Sequence, residues 1–229
     1  MIKKLLLLSL ALGLGLVGYE ITRPDVDNIY SDYRKTVVKL IMPTGGGGTG
    51  FAIKAPSGKE YILTNKHVCG DNQTLLVESE ALPRKIQMRV IEVSQEHDLC
   101  LVEAPYGLEA KSIGLLDLIG SKVFVVGYPR LQPLTPREGH IVGRESIPMA
   151  SPPVDGECPA GTISEIGWMG LQCYEPYDSN IISVEIHPGN SGSPLINRQG
   201  NIIGVVFAGN TVHGAAVPLK YINSFLALY

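Results

Sequence analysis

His187-Pro188-Gly189-Asn190-Ser191-Gly192-Ser193-Pro194-Leu195 decides how the rest of this 229-residue chain is read. One serine stands between glycines, with a proline on either side and apolar sequence beyond. A serine hydroxyl is a weak nucleophile until a base takes its proton and its backbone is held in a fixed turn. Glycines suit such a turn because they accept positive φ and let another group approach the main chain closely. Ser191 is therefore presented by its surroundings. Its rival reading is a plain turn serine. A base and an orienting carboxylate elsewhere in the chain would decide between them.

Outward from this turn the texture is β. Val37–Met42, Gly50–Lys54, Tyr61–Thr64, Thr74–Glu78, Lys85–Val93 and Leu99–Glu103 read as short strands separated by turn residues. A second series follows from Lys122–Gly127 through Gly139–Glu145, Ile181–Ile186, Ser193–Ile196, Ile202–Phe207 and Gly214–Pro218, and Tyr221–Tyr229 has helical spacing. Many short strands at close spacing predict a sandwich or barrel. The stretch from Ser146 to Asp178, rich in Pro, Gly and Cys, reads as an inserted loop or a long hairpin. Strands and helices do not alternate, which disfavours a parallel α/β sheet. A nucleophile elbow is disfavoured too, because it needs Gly-x-Ser-x-Gly before a helix, and position 193 is Ser before a strand.

Two further motifs carry the missing partners. Thr64-Asn65-Lys66-His67-Val68 ends a strand with an imidazole, and His97-Asp98-Leu99-Cys100-Leu101 opens a strand with a carboxylate. His97 adjoins Asp98, but neighbours on an extended chain point to opposite sides, so His67 is the better base. Taken singly, His67 reads as a hydrogen-bonded structural histidine and Asp98 as a turn residue. Taken together with Ser191, in the order His67, Asp98, Ser191, the three motifs resemble the trypsin-like serine proteases of chymotrypsin fold, and among them the HtrA/Deg-like group. Gly47-Gly48-Thr49-Gly50-Phe51, Val125-Val126-Gly127-Tyr128-Pro129 and Gly204-Val205-Val206-Phe207 add to the likeness, which spans residues 36–229.

The resemblance implies an all-β fold of two perpendicular six-stranded antiparallel barrels with a short C-terminal helix. The first barrel would hold residues 36–115 and the second 116–229, after a leader at 1–19 and a linker at 20–35. Ser191 would attack the scissile carbonyl, His67 would act as base then acid, and Asp98 would hold the imidazole. The backbone N–H groups of Gly189 and Ser191 would form the oxyanion hole. Such chemistry needs no cofactor, metal or organic, and its partners would be protein or peptide substrates. Phe207-Ala208-Gly209 and Gly214-Ala215-Ala216 would wall the pocket for the residue before the scissile bond. Glu185 would fall near its base, to select Lys or Arg, unless it faces solvent or pairs with a nearby base. The second is preferred, because a buried unpaired carboxylate is costly. Asn190 stands where zymogen-activated relatives carry an aspartate, so no activating cleavage of that kind is expected. The PDZ domain usual in HtrA chains is not expected before Tyr229, and no feature specifies the oligomeric state. Two rivals use the same residues: a silent protease-fold binding protein and an esterase.

Composition closes off other classes. A net charge of −3 offers no attraction to nucleic acid or anionic membrane, and 45% hydrophobic residues support a sizeable core. Gly45–Gly48 lacks the Lys-Ser/Thr of a phosphate loop and reads as a hairpin turn. Lys3 and Lys4 before the apolar run Leu5–Val17 form a leader for export, either a cleaved signal peptide or a membrane anchor, the one expected membrane contact. The remainder would then be extracytoplasmic, periplasmic or secreted. Four cysteines fit an oxidising compartment. Cys158 and Cys173 flank the Pro/Gly-rich stretch and read as a pair. Cys69 and Cys100, each two residues after a candidate residue, read either as a second pair or as buried thiols.

Overall fold

The computed structural model describes residues 25–151, 157–167 and 170–229; the leader expected at 1–19 lies outside them. Six strands form the first barrel: β1 (Val37–Ile41), β2 (Gly47–Lys54), β3 (Glu60–Thr64), β4 (Thr74–Glu78), β5 (Ile86–Val93) and β6 (Cys100–Glu103). Their order is β1-β2-β3-β6-β5-β4, and β1 closes the ring on β4 with Leu40 opposite Val77. A one-turn helix, α2 (Lys66–Cys69), follows β3.

The second half contains β7 (Lys122–Gly127), β8 (Thr135–Ser151), β9 (Ile163–Gly167), β10 (Gly170–Ile182), β11 (Pro194–Asn197), β12 (Ile202–Gly209) and β13 (Gly214–Pro218). The sheet order is β13-β12-β11-β7-β8-β10-β9, and a β13–β10 pairing closes all but β9 into a second ring. The Pro/Gly-rich stretch is a long hairpin. β8 and β10 pair from Ile141–Ile182 out to Ser151–Cys173, and β9 adds to the outer half of β10. Cys158 is disulfide-bonded to Cys173 there.

Alternating side chains explain why so many of these strands read as continuous apolar runs. Val38, Leu40, Ile62, Cys100 and Val102 point into the first barrel, and Val123, Val125, Leu195, Ile203 and Val206 into the second. Their neighbours Val37, Leu63, Leu101, Phe124, Val126, Val205 and Phe207 point out of their own barrel into a shared cluster between the two. A strand buried on both faces loses the polar alternation of a half-exposed one. Each such side chain contributes roughly 1.5–3 kcal/mol by leaving water.

The reading of 20–35 as a linker is corrected in its second half. Val26–Tyr33 is a helix, α1, with the Asp25 carboxylate accepting the Asn28 N–H as an N-cap. Val26, Ile29, Tyr30 and Tyr33 follow helical spacing, and Ile29 and Tyr33 are buried in the inter-barrel cluster. The polar residues between them hide this period. At the other end α3 (Leu219–Leu226) buries Leu219, Ile222 and Leu226.

Candidate active site

Asn65 ends β3 in an extended conformation and starts α2, which carries His67. The Asn65 side chain donates to the Asp98 carbonyl at 2.9 Å, tying this turn to the segment before β6. Asp98 then contacts His67 twice. One carboxylate oxygen accepts the His67 backbone N–H at 3.0 Å and the other lies 2.8 Å from the ring Nδ1. A carboxylate accepts only, so Nδ1 carries the proton and Nε2 keeps its lone pair. Asp98 is 8% exposed, which strengthens the contact, whereas the imidazole is half-exposed. Cys69 and Cys100 form a disulfide that joins α2 to β6 beside this pair.

Asp98 has a further partner that no local motif marks. The Tyr177 hydroxyl, from β10 of the second barrel, accepts the Asp98 N–H at 3.3 Å. Burial raises the Tyr177 phenol well above its usual range, so it stays a neutral hydroxyl. His97 turns away and stacks on Tyr221 with ring centroids 4.0 Å apart; burial holds its imidazole below the usual range. Tyr177→Phe is expected to lower kcat about fivefold with KM unchanged, since an unpartnered N–H costs on the order of 1 kcal/mol. Steady-state kinetics beside a melting curve separates this from a loss of fold.

Ser191 lies in a turn closed by Asn190 N–H to the His187 carbonyl and by Gly192 N–H to the Val206 carbonyl, at 3.0 and 2.7 Å. The first barrel clamps this turn. The Thr49 N–H donates to the Ser191 carbonyl at 2.7 Å, and the Thr49 hydroxyl donates to the Gly189 carbonyl at 2.7 Å while accepting the Tyr128 N–H. Thr64 in turn donates to the Thr49 carbonyl. Gly192 has φ +85°, and a Cβ there would stand 1.9 Å from the Thr49 carbonyl oxygen, so glycine is required. Gly48 fits between the Ser191 carbonyl and Val68, the neighbour of His67. The serine turn and the His67 turn thus meet across one glycine. The Ser191 hydroxyl itself donates to the Phe207 carbonyl at 3.2 Å.

Among the described residues neither Gly189 nor Ser191 spends its N–H on another protein group. The Pro188 carbonyl accepts the Arg130 N–H. In a trans peptide the C=O and N–H point oppositely, so the Gly189 N–H faces away from Arg130. Arg130 and Leu131, which support this turn, have φ of 53° and 56°, a conformation that non-glycine residues rarely adopt.

Glu185 is occupied by two partners. Its carboxylate pairs with His187 Nε2 at 2.9 Å and with Arg137 at 3.3 Å. Ile186, one residue on, turns inward instead: a Cβ on Gly209 or Gly214 would meet its side chain at 2.6 and 2.5 Å. Ile186 thus points toward Gly209 and Gly214, and the neighbouring carboxylate toward His187 and Arg137. Phe207 and Ala215 are buried in the cluster between the barrels, and Ile186 in that of the second barrel.

Residues 48–205 match the trypsin-like peptidase domain. The chain belongs to that family. Over 185 residues it is 26% identical to the periplasmic serine endoprotease DegP of Escherichia coli, covering 77% of this chain and 34% of DegP. It is 26% identical to the putative mitochondrial protease Do-like 3 of Arabidopsis thaliana over 201 residues, 82% of this chain and 31% of that protein. The chain thus spans about a third of the curated relatives it matches. Among solved structures, the active form of the Rv3671c protease from M. tuberculosis superposes with a TM-score of 0.68 at 23% identity, covering 90% of this chain and 87% of the other. The HtrA-type protease AlgW with a tripeptide superposes at 0.64 and 21% identity, covering 86% and 61%. The matched family is one of peptidases, and the named relatives are proteases.

Proposed function

We propose that the chain is an exported serine endopeptidase in which Ser191 is the nucleophile, His67 the general base and Asp98 its orienting carboxylate. The observation that carries this reading is the double contact of Asp98 with the backbone N–H and the ring Nδ1 of His67. It supports a tautomer with Nε2 free, near a serine turn in which the Gly189 and Ser191 N–H groups have no partner among the described residues. In the reaction the Ser191 hydroxyl turns from the Phe207 carbonyl to Nε2, gives up its proton and attacks the scissile carbonyl. The imidazolium then protonates the leaving amine, and water repeats the sequence to release the acyl group. The N–H groups of Gly189 and Ser191 take the oxyanion, a contribution of about 3–4 kcal/mol for one donor. Export is supported by the leader-like residues 1–19, by two disulfides, and by the periplasmic relatives.

A fluorophosphonate probe tests the assignment. The wild type is expected to carry one adduct, located on Ser191 by peptide mass spectrometry, and His67→Ala to carry almost none. An adduct elsewhere, or no adduct on folded protein, overturns it in favour of the silent binding protein.

Specificity follows from Ile186. An aliphatic floor between Gly209 and Gly214 favours a small apolar residue before the scissile bond and leaves a Lys or Arg unpaired. In a peptide-library digest Glu185→Gln is expected to leave this preference unchanged. Ile186→Ala should shift it toward larger apolar residues by roughly tenfold, the value of one or two methylenes.

A further inference from the structure

The connector between the barrels, Ile113-Gly114-Leu115-Leu116-Asp117-Leu118-Ile119-Gly120, exposes four aliphatic side chains in succession. Leu115 is 91% exposed, Leu116 63%, Leu118 57% and Ile119 58%. A slack linker would fold such residues inward. This one is pinned at both ends and in the middle. The Gly114 N–H donates to the Ile202 carbonyl and the Gly120 N–H to the Ile141 carbonyl, both at 2.7 Å. Between them, Asp117 turns its carboxylate back into the second barrel, to Arg144 at 3.0 Å and Asn180 at 2.8 Å. The single acid of the stretch is thereby neutralised on the inner side, and the leucines flanking it are held outward.

These leucines line a groove of about 670 Å³ with Lys122, His140 and Arg198, and among the described residues no carboxylate lines it. Arg198 and His140 are exposed; Lys122 is half-buried and paired with Glu138. Lys122 is thus compensated, and Arg198 is the cation the groove offers; apolar side chains beside an exposed guanidinium fit a surface whose headgroups are anionic and whose interior is hydrocarbon.

The chain itself indicates where such a surface stands. Eight Cα-to-Cα steps separate Val17, the end of the apolar leader run, from Asp25, which caps α1. Fully extended they reach at most about 29 Å, and α1 adds about 12 Å. The last residue of α1, Tyr33, donates its hydroxyl to the Gly200 carbonyl, in the turn whose Asn197, Gln199 and Asn201 line the same groove. A bilayer holding residues 5–17 is therefore within reach of the groove.

We propose that the Leu115–Ile119 connector and the Arg198 turn dock on an anionic phospholipid bilayer, with the leucines entering the headgroup boundary. This surface is separate from the serine site, and the proposal stands whether or not that site is active.

The test uses the full chain with Trp168→Phe and a tryptophan in place of Leu116, reconstituted into vesicles of phosphatidylcholine and phosphatidylglycerol with brominated acyl chains. Tyr106→Trp, on the loop after β6, serves as the exposed reference. The tryptophan at 116 is expected to lose at least half of its fluorescence and the reference little. Arg198→Glu, or omission of phosphatidylglycerol, should reduce the quenching at least twofold. Equal quenching at the two positions, or none at 116, overturns the proposal. So does a blue shift at 116 that follows protein concentration without lipid, since it would mark a second copy as the occupant. Quenching indifferent to charge overturns the anionic assignment.

Discussion

Alanine at Ser191 is expected to lower kcat for peptide hydrolysis by about 10⁴-fold or more, and alanine at His67 by a similar factor. The double variant should be little worse than either single one, because residues that act as a unit do not contribute additively. What remains would come from substrate binding and the two N–H donors of Gly189 and Ser191. Asp98→Asn offers a finer test. An amide has one acceptor and one donor, whereas the native carboxylate accepts from both the His67 N–H and Nδ1. One contact must become donor against donor, or the ring must take the other tautomer and present a protonated Nε2 to Ser191. A loss of about 10⁴ in kcat is expected without loss of fold. Single-turnover kinetics with circular dichroism measure both. A loss below about tenfold in any of these variants would mean the reacting proton moves by another route.

The second large effect is expected at Cys69 and Cys100. Their disulfide closes a loop with a sequence separation of 31. Removing it by a double serine substitution should destabilise the fold by roughly 3–4 kcal/mol through the entropy of the unfolded chain. That is a large share of the roughly 5–15 kcal/mol that holds a domain together. The two half-cystines are fully buried and stand two residues beyond His67 and Asp98, on the segments whose side chains must meet. The bridge therefore holds the base to its carboxylate as well as holding the barrel. Activity should fall about tenfold even well below the melting temperature, where a deficit of stability alone would not show. The Cys158–Cys173 bridge, with a separation of 15 on the outer half of the long hairpin, gives the contrast. Its removal should lower the melting temperature with little change in kcat. Denaturant unfolding and initial rates on both double variants would distinguish them, and equal losses of kcat would refute the positioning role of the inner bridge.

The parts of the site that could be read beforehand are those whose chemistry needs a residue type within a short local pattern. His67 at the end of a strand, Asp98 at the start of one, and Ser191 among glycines each announce themselves in a few residues. The clamp around Ser191 does not. Thr49 reaches Gly189 and Tyr128 across separations of 140 and 79 residues. Asp98 and Tyr177 are also 79 residues apart. A threonine in a strand and a tyrosine in a hairpin have ordinary reasons to be there, so no local signal marks them. Glu185 shows the opposite case. The resemblance offered its charge for a pocket, and the cost of burying an unpaired carboxylate argued against it; its carboxylate is paired with His187 and Arg137. α1 was legible in principle: an aspartate cap and apolar residues at 26, 29, 30 and 33 spell a helix. The polar residues between them gave the stretch the composition of a linker.

The two ends of the chain are exchanged between the halves. α1 leads into the first barrel but packs on β7 and β8 of the second. After the last strand of the second barrel, Tyr229 returns to the first, where its ring meets Tyr61 at 5.8 Å, its hydroxyl donates to Glu92, and its carbonyl accepts the Ser57 N–H. Each barrel therefore takes part of its packing from the far end of the chain. The first half thus takes contacts from residues more than a hundred positions later in the chain, Tyr229 against Tyr61 and Glu92 among them. A chain threaded outward in extended form would stay inert along its whole passage, and the cleft would come into being in one late event, when both halves are on the same side.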